Sequence, residues 1–194
     1  IISCKLPEGT ALPSMRLLAK ELRSSAITTT SNSFSDVDPA LWYNTEVSSM
    51  ANGGYIMGYD DGTFRGKKSI TRAEFVTMLV RFIGTSDADS HFSDVPTTHW
   101  AYQDISTATA AGWLEGYSDG TFGPDKKITR AEAITIINRV HNRGVDSDSE
   151  LLDFKAFPDN KVGAWYYYDV IEATNAHEYI GSRPSETWTK LLDK

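Results

Sequence analysis

ITRAE occupies residues 70–74, and the same five letters return at 128–132. The correspondence continues outward from it. GYDDGTF at 58–64 returns as GYSDGTF at 116–122, FSDV at 34–37 as FSDV at 92–95, and Trp42 as Trp100, always 58 residues apart. No gap is needed between Phe34 and Ile83. A period of this length marks a repeat architecture, in which one small unit cannot bury its own apolar face and stacks on a neighbour.

A third copy begins at Phe157. Phe157, Asp159, Trp165 and Asp169 stand 65 residues after Phe92, Asp94, Trp100 and Asp104, and the polar stretch 144–153 takes up the difference. Beyond Ala173-Thr174 this copy has neither GYxDGTF nor TRAE. The organisation read is therefore an N-terminal segment at 1–33, repeats at 34–86 and 91–143, a linker at 144–153, and a degenerate third repeat at 154–194.

Each repeat reads as helix, loop, helix. Asp38-Pro39 is a start signal, with Asp as N-cap and Pro at the first helical position. Val47, Met50 and Ala51 then share a face, as do Ile105, Ala108 and Thr109. Gly53-Gly54 and Gly112 are stops. GYxDGTF has turn chemistry, with Asp-Gly at its centre and Phe64 or Phe122 folding the loop onto the core. A calcium loop would need alternating oxygen ligands and a closing Glu, which the motif lacks. Thr71 and Glu74, like Thr129 and Glu132, have capping-box spacing. The second helices follow, with apolar stripes at Phe75, Met78, Leu79, Phe82 and at Ala133, Ile136, Ile137, Val140.

Arg72 and Arg130 fall at the first position of these helices. A cation at the positive end of the helix dipole is mildly unfavourable, by about 0.3–1 kcal/mol, yet both copies place one there. Either each guanidinium pairs with a nearby carboxylate, such as the FSDV aspartate, or it awaits an anion beside free helix-terminal amides.

FSDV, the Trp that follows, GYxDGTF and ITRAE, in this order and spacing, resemble the S-layer-homology family over about three quarters of the chain. The resemblance implies a mainly α fold, with tandem helix-loop-helix repeats in a pseudo-threefold, three-pronged arrangement. It also implies non-covalent anchoring to the bacterial cell wall through an acidic, pyruvylated secondary polysaccharide. By position, Arg72 and Arg130 would meet the pyruvyl carboxylate, while Trp42, Trp100 and Trp165 would line the grooves. Gly58 and Gly116 would let a sugar approach the backbone. A core-filling role for the tryptophans stays open beside this one. The expected setting is the cell surface, with a monomer, no cofactor and no membrane insertion.

Residues 1–30 resemble instead the first part of a GntR-type winged helix. The likeness rests on KLPEGTALPS and a stripe of Met15, Leu18, Ala19 and Leu22. It implies that Arg16 and Thr28 to Thr30 would face DNA. The wing is missing, and the net charge of −7 disfavours wholesale nucleic-acid coating. A DNA-binding regulator fragment and a ligand-free structural repeat protein are the alternatives to an anchor. The segment could also dock as the helix that repeat three lacks.

The rest of the sequence excludes more than it proposes. The 194 residues are 40% hydrophobic and 11% aromatic, as in ordinary folded proteins. Cys4 is the only cysteine, so neither an intrachain disulfide nor a cysteine zinc site is possible. No apolar run reaches membrane-spanning length, and no basic stretch leads into an apolar core as a leader would. His91, His99, His141 and His177 lack metal-ligand spacing, and no catalytic constellation is visible. No metal site and no enzyme activity are expected.

Overall fold

The computed structural model describes residues 34–192. The regulator-like segment lies outside these residues, as does its proposed docking. The described chain is mainly helical and divides into two compact units, 34–128 and 129–192. The first holds α1 (Asn44–Asn52), α2 (Arg72–Ile83) and α3 (Tyr102–Ala110). The second holds α4 (Arg130–Val140), a single 3-10 turn (Asp148–Glu150), α5 (Tyr167–Thr174), and strands β1 (His177–Ile180) and β2 (Thr187–Leu191).

The first helix of repeat one starts later than its Asp38-Pro39 signal suggests. Asp38 does take up an amide, that of Ala40, at 2.8 Å. That closes a turn, and α1 begins at Asn44 with Tyr43 at the N-cap and no side-chain cap. Between them runs a staircase of turns: Val37 to Phe34, Leu41 to Asp38, Asn44 to Leu41, amide to carbonyl, at 2.9–3.3 Å. Repeat two copies it from Val95 to Tyr102, and repeat three from Asn160 to Tyr167. The three copies thus share backbone geometry even where side chains diverge. Gly54 and Gly112 end their helical segments at φ of +75° and +73°, a region open to glycine.

The FSDV aspartate ties this staircase to the loop. Asp36 accepts the amides of Phe64 and Arg65, both at 2.7 Å. Asp94 accepts those of Phe122 and Gly123 at 2.8 and 2.7 Å. The rings of Phe34 and Phe64 lie 5.6 Å apart and those of Phe92 and Phe122 5.5 Å. Within the loop Asp61 takes the amide and hydroxyl of Thr63 and pairs with Arg65. The Thr63 hydroxyl, then Arg65, hold its carboxyl down at about 2.

Both capping boxes form. The stripes behind them differ from expectation. On α2 the buried residues are Ala73, Val76, Thr77 and Val80, with Arg72 and Phe75, while Met78, Leu79 and Phe82 are only part-covered. On α4 they are Thr135, Ile136 and Asn138. The face with the largest side chains is not the one the partner helix takes. A small residue and a threonine let α2 approach α3, where the Thr77 hydroxyl donates to Asp104 at 2.7 Å. In the other unit Thr135 donates to Asp169 at 2.8 Å. The second helix of one repeat thus packs on the first helix of the next: α2 on α3, and α4 on α5.

Where repeat three lacks a second helix, an antiparallel hairpin stands, with His177 opposite Leu191 and Ile180 opposite Thr187. Its Trp188 joins Val145, Tyr167 and Ile171 in a buried apolar cluster.

Candidate functional site

The two TRAE arginines, identical in sequence, occupy different surroundings. Arg72 is 4% exposed. Its Nε donates to the carbonyl of Phe122 at 2.9 Å, and its guanidinium lies over the rings of Phe122 and Tyr117 at 4.6 and 4.9 Å. The amides around it are occupied as well. Thr71 donates to the Glu74 carboxylate and Glu74 to the Thr71 hydroxyl. Arg72 donates to the carbonyl of Lys126 at 2.8 Å and Ala73 to that of Pro124 at 3.0 Å. The loop of repeat two therefore fills the anion position at this helix end, and the expected free amides are absent there.

Arg130 is exposed. The capping box again uses the amides of Thr129 and Glu132. The amides of Arg130 and Ala131 meet no acceptor among the described residues. The loop that would cover them corresponds to the one repeat three does not have. Here a guanidinium and two backbone donors share the positive end of a helix dipole, which suits a carboxylate or phosphate. The proposed ion pair with the FSDV aspartates is not formed in the way considered, because Asp36 and Asp94 are taken up by loop amides.

Trp42, Trp100 and Trp165 are 88%, 62% and 65% exposed, which removes the core-filling reading. Each ring rests on its chain neighbour: Trp42 edge-on to Tyr43, Trp100 stacked with His99, Trp165 edge-on to Tyr166, at 5.2–5.6 Å. Flat indole faces held open in this way suit the C–H faces of sugars.

Gly58 and Gly116 have an internal reason to be glycine. A Cβ at 58 would stand 2.3 Å from the Phe34 ring, and one at 116 the same distance from the Phe92 ring. The aromatic ring of the repeat's own FSDV segment, rather than open space for a sugar, abuts each of them.

One cluster escaped the sequence reading. Glu172, His177 and Glu186 are buried with ligand-type atoms within 4.8 Å of one another, the spacing of a metal site. The Arg143 guanidinium lies among them. Its Nη2 is 2.6 Å from Glu172, 2.8 Å from Glu186 and 2.6 Å from His177 Nε2. The Tyr179 ring covers it at 3.6 Å. The guanidinium stands between the three ligand atoms, where a metal ion would have to sit, so these residues do not fit an added metal. The only sequence trace of the cluster is the alternation of HEYI and TWTKL about a Gly-Ser-Arg-Pro turn.

Residues 33–76 and 91–134 match the profile of the S-layer homology domain. These repeats belong to the S-layer homology family. The chain is 32% identical over 172 residues to Cell surface glycoprotein 1 of Acetivibrio thermocellus, covering 82% of this chain and 7% of that protein. It is 34% identical over 177 residues to the Cellulosome-anchoring protein of the same organism, covering 88% and 39%. A Surface layer protein of Brevibacillus choshinensis matches 92 residues at 35% identity, 44% of this chain and 8% of that one. The chain thus spans well under half the length of these relatives. No helix among the described residues is long and apolar enough to cross a membrane.

Proposed function

We propose that this chain is a non-catalytic anchoring module that holds its bearer on the bacterial cell surface by binding an acidic, pyruvylated wall polysaccharide. The observation that carries the reading is the exposed Arg130 beside the unpaired amides of residues 130 and 131. The pyruvyl carboxylate docks on that guanidinium and on the helix terminus. The exposed indole of Trp165 lies in the same unit and supplies a stacking face for the sugar ring. Trp42 and Trp100 offer equivalent faces in the first unit. Arg72 serves the fold, tying the loop of repeat two to α2. The family and the surface location of the relatives support the same reading.

The test is sedimentation with purified cell walls. Arg130→Ala should weaken binding by about tenfold or more, as loss of a charge-assisted contact worth about 1.5–3 kcal/mol requires, with an unchanged melting curve. Arg72→Ala should lower stability instead. Removing the pyruvyl groups from the wall should abolish the difference between Arg130→Ala and the parent. Binding by Arg130→Ala equal to that of the parent on untreated walls sinks the assignment.

A further inference from the structure

His177 is 4% exposed and is faced from every side by named groups. Its Nδ1 lies 2.7 Å from the carbonyl oxygen of Asn175. Its Nε2 lies 3.1 Å from a Glu186 oxygen and 3.3 Å from a Glu172 oxygen. A carbonyl and two carboxylates accept only, so both ring nitrogens must carry protons to satisfy them. One contact opposes this: Arg143 Nη2, itself a donor, lies 2.6 Å from Nε2. Two buried carboxylates against two cations leave the cluster neutral. A neutral imidazole would leave two carboxylates facing one guanidinium, with a lone pair turned towards both acids.

The groups come from different elements. Arg143 follows α4, Glu172 belongs to α5, Glu186 precedes β2, and Tyr179 lies on β1. Trp188 of β2 stacks on the imidazole at 3.9 Å and donates its indole N–H to Glu172 at 2.9 Å. His141 adjoins Arg143, and burial followed by that charge keeps its pKa low.

We propose that the β1–β2 hairpin is a proton-held latch on repeat three, in which the His177 imidazolium fastens the hairpin to Glu172 of α5, and loss of that proton lets the hairpin lift. Burial alone would lower the histidine's pKa. Hydrogen bonds to Glu172 and Glu186 outweigh it and raise the pKa to about 9. The folded value lies above the ordinary 6.5, so the latch holds fully below that pH and weakens as pH climbs through about 9. Lifting removes Trp188 from Val145, Tyr167 and Ile171, and so bares an apolar face on α5.

Hydrogen exchange on the full chain, corrected for the pH dependence of intrinsic exchange, tests this alongside an NMR titration of the His177 ring. Protection of the amides in 177–191 should fall at least tenfold between pH 7 and pH 10, relative to α2. The midpoint should coincide with a His177 titration near pH 9. Ring titration near pH 6.5, or hairpin protection that stays level through the titration, overturns the proposal. His177→Gln has no proton to lose, so its hairpin protection should be low and level across the range; a retained alkaline drop again overturns it. Should that variant not fold, the coincidence of the two midpoints in the parent decides.

Discussion

An alanine at residue 116 would set its Cβ 2.3 Å from Cε1 of Phe92 and 2.7 Å from the carbonyl oxygen of Thr121. Ordinary contact needs more than an ångström beyond the first distance and a large fraction of one beyond the second, and neither neighbour is free to give it. The Phe92 ring lies on Phe122, itself fully buried, and the Thr121 carbonyl accepts the Tyr117 amide at 2.7 Å. Overpacking of this kind costs about 1–3 kcal/mol, and loss of the loop hydrogen bond adds about 1 kcal/mol. Gly116→Ala should therefore lose about 3 kcal/mol. In urea, with a slope of about 1–3 kcal/mol/M, the midpoint should drop by about 1–3 M. Gly120→Ala is the control. That residue has φ of +81° and open space where a Cβ would go, so only the left-handed backbone costs anything, about 1–2 kcal/mol. A Gly116→Ala protein with near-parental stability but impaired wall binding would refute the packing explanation and restore a ligand role for this glycine.

The repeated aspartates give an internal comparison. Asp94→Asn exchanges one of two amide-accepting oxygens for a donor and should cost about 1.5–3 kcal/mol. Asp159→Asn, at an exposed position with no such bond, should change the urea midpoint by no more than the measurement error. His141 gives a pH signature. Its folded pKa is pushed below 6.5 by burial and then by Arg143, so the unfolded chain binds protons first as pH falls. Stability should decline as pH drops below about 6.5, and His141→Gln should flatten that decline in urea titrations at pH 7.5 and 5.

The period of 58 residues, the turns and both capping boxes were legible because they depend on local chemistry that a short motif contains whole. The helix start at Asp38-Pro39 was misread for the same reason. Those two residues do fold locally, but into the first step of a staircase whose continuation is set by backbone turns common to unlike side chains. Which face of α2 is buried depends on the neighbouring helix, and small residues there outrank the larger Met78 and Phe82. The positions of Arg72 and Arg130 at helix starts were readable. Their different exposure was not, because it turns on whether a loop many residues downstream covers the helix end. The Arg143 cluster left no motif: its members are brought together by a hairpin in the repeat that has lost the pattern.

The packing of each second helix on the next repeat's first helix has a practical consequence for anyone dividing or recombining such chains. Cuts at the apparent motif boundaries, near residue 87 or 147, separate partners that share a core and strand α2 or α4. Cuts through the middle of a motif, near Ile128 and Thr129, keep α2 with α3 and α4 with α5. Module exchange should therefore succeed when the crossover lies inside the written repeat and fail when it follows its edges.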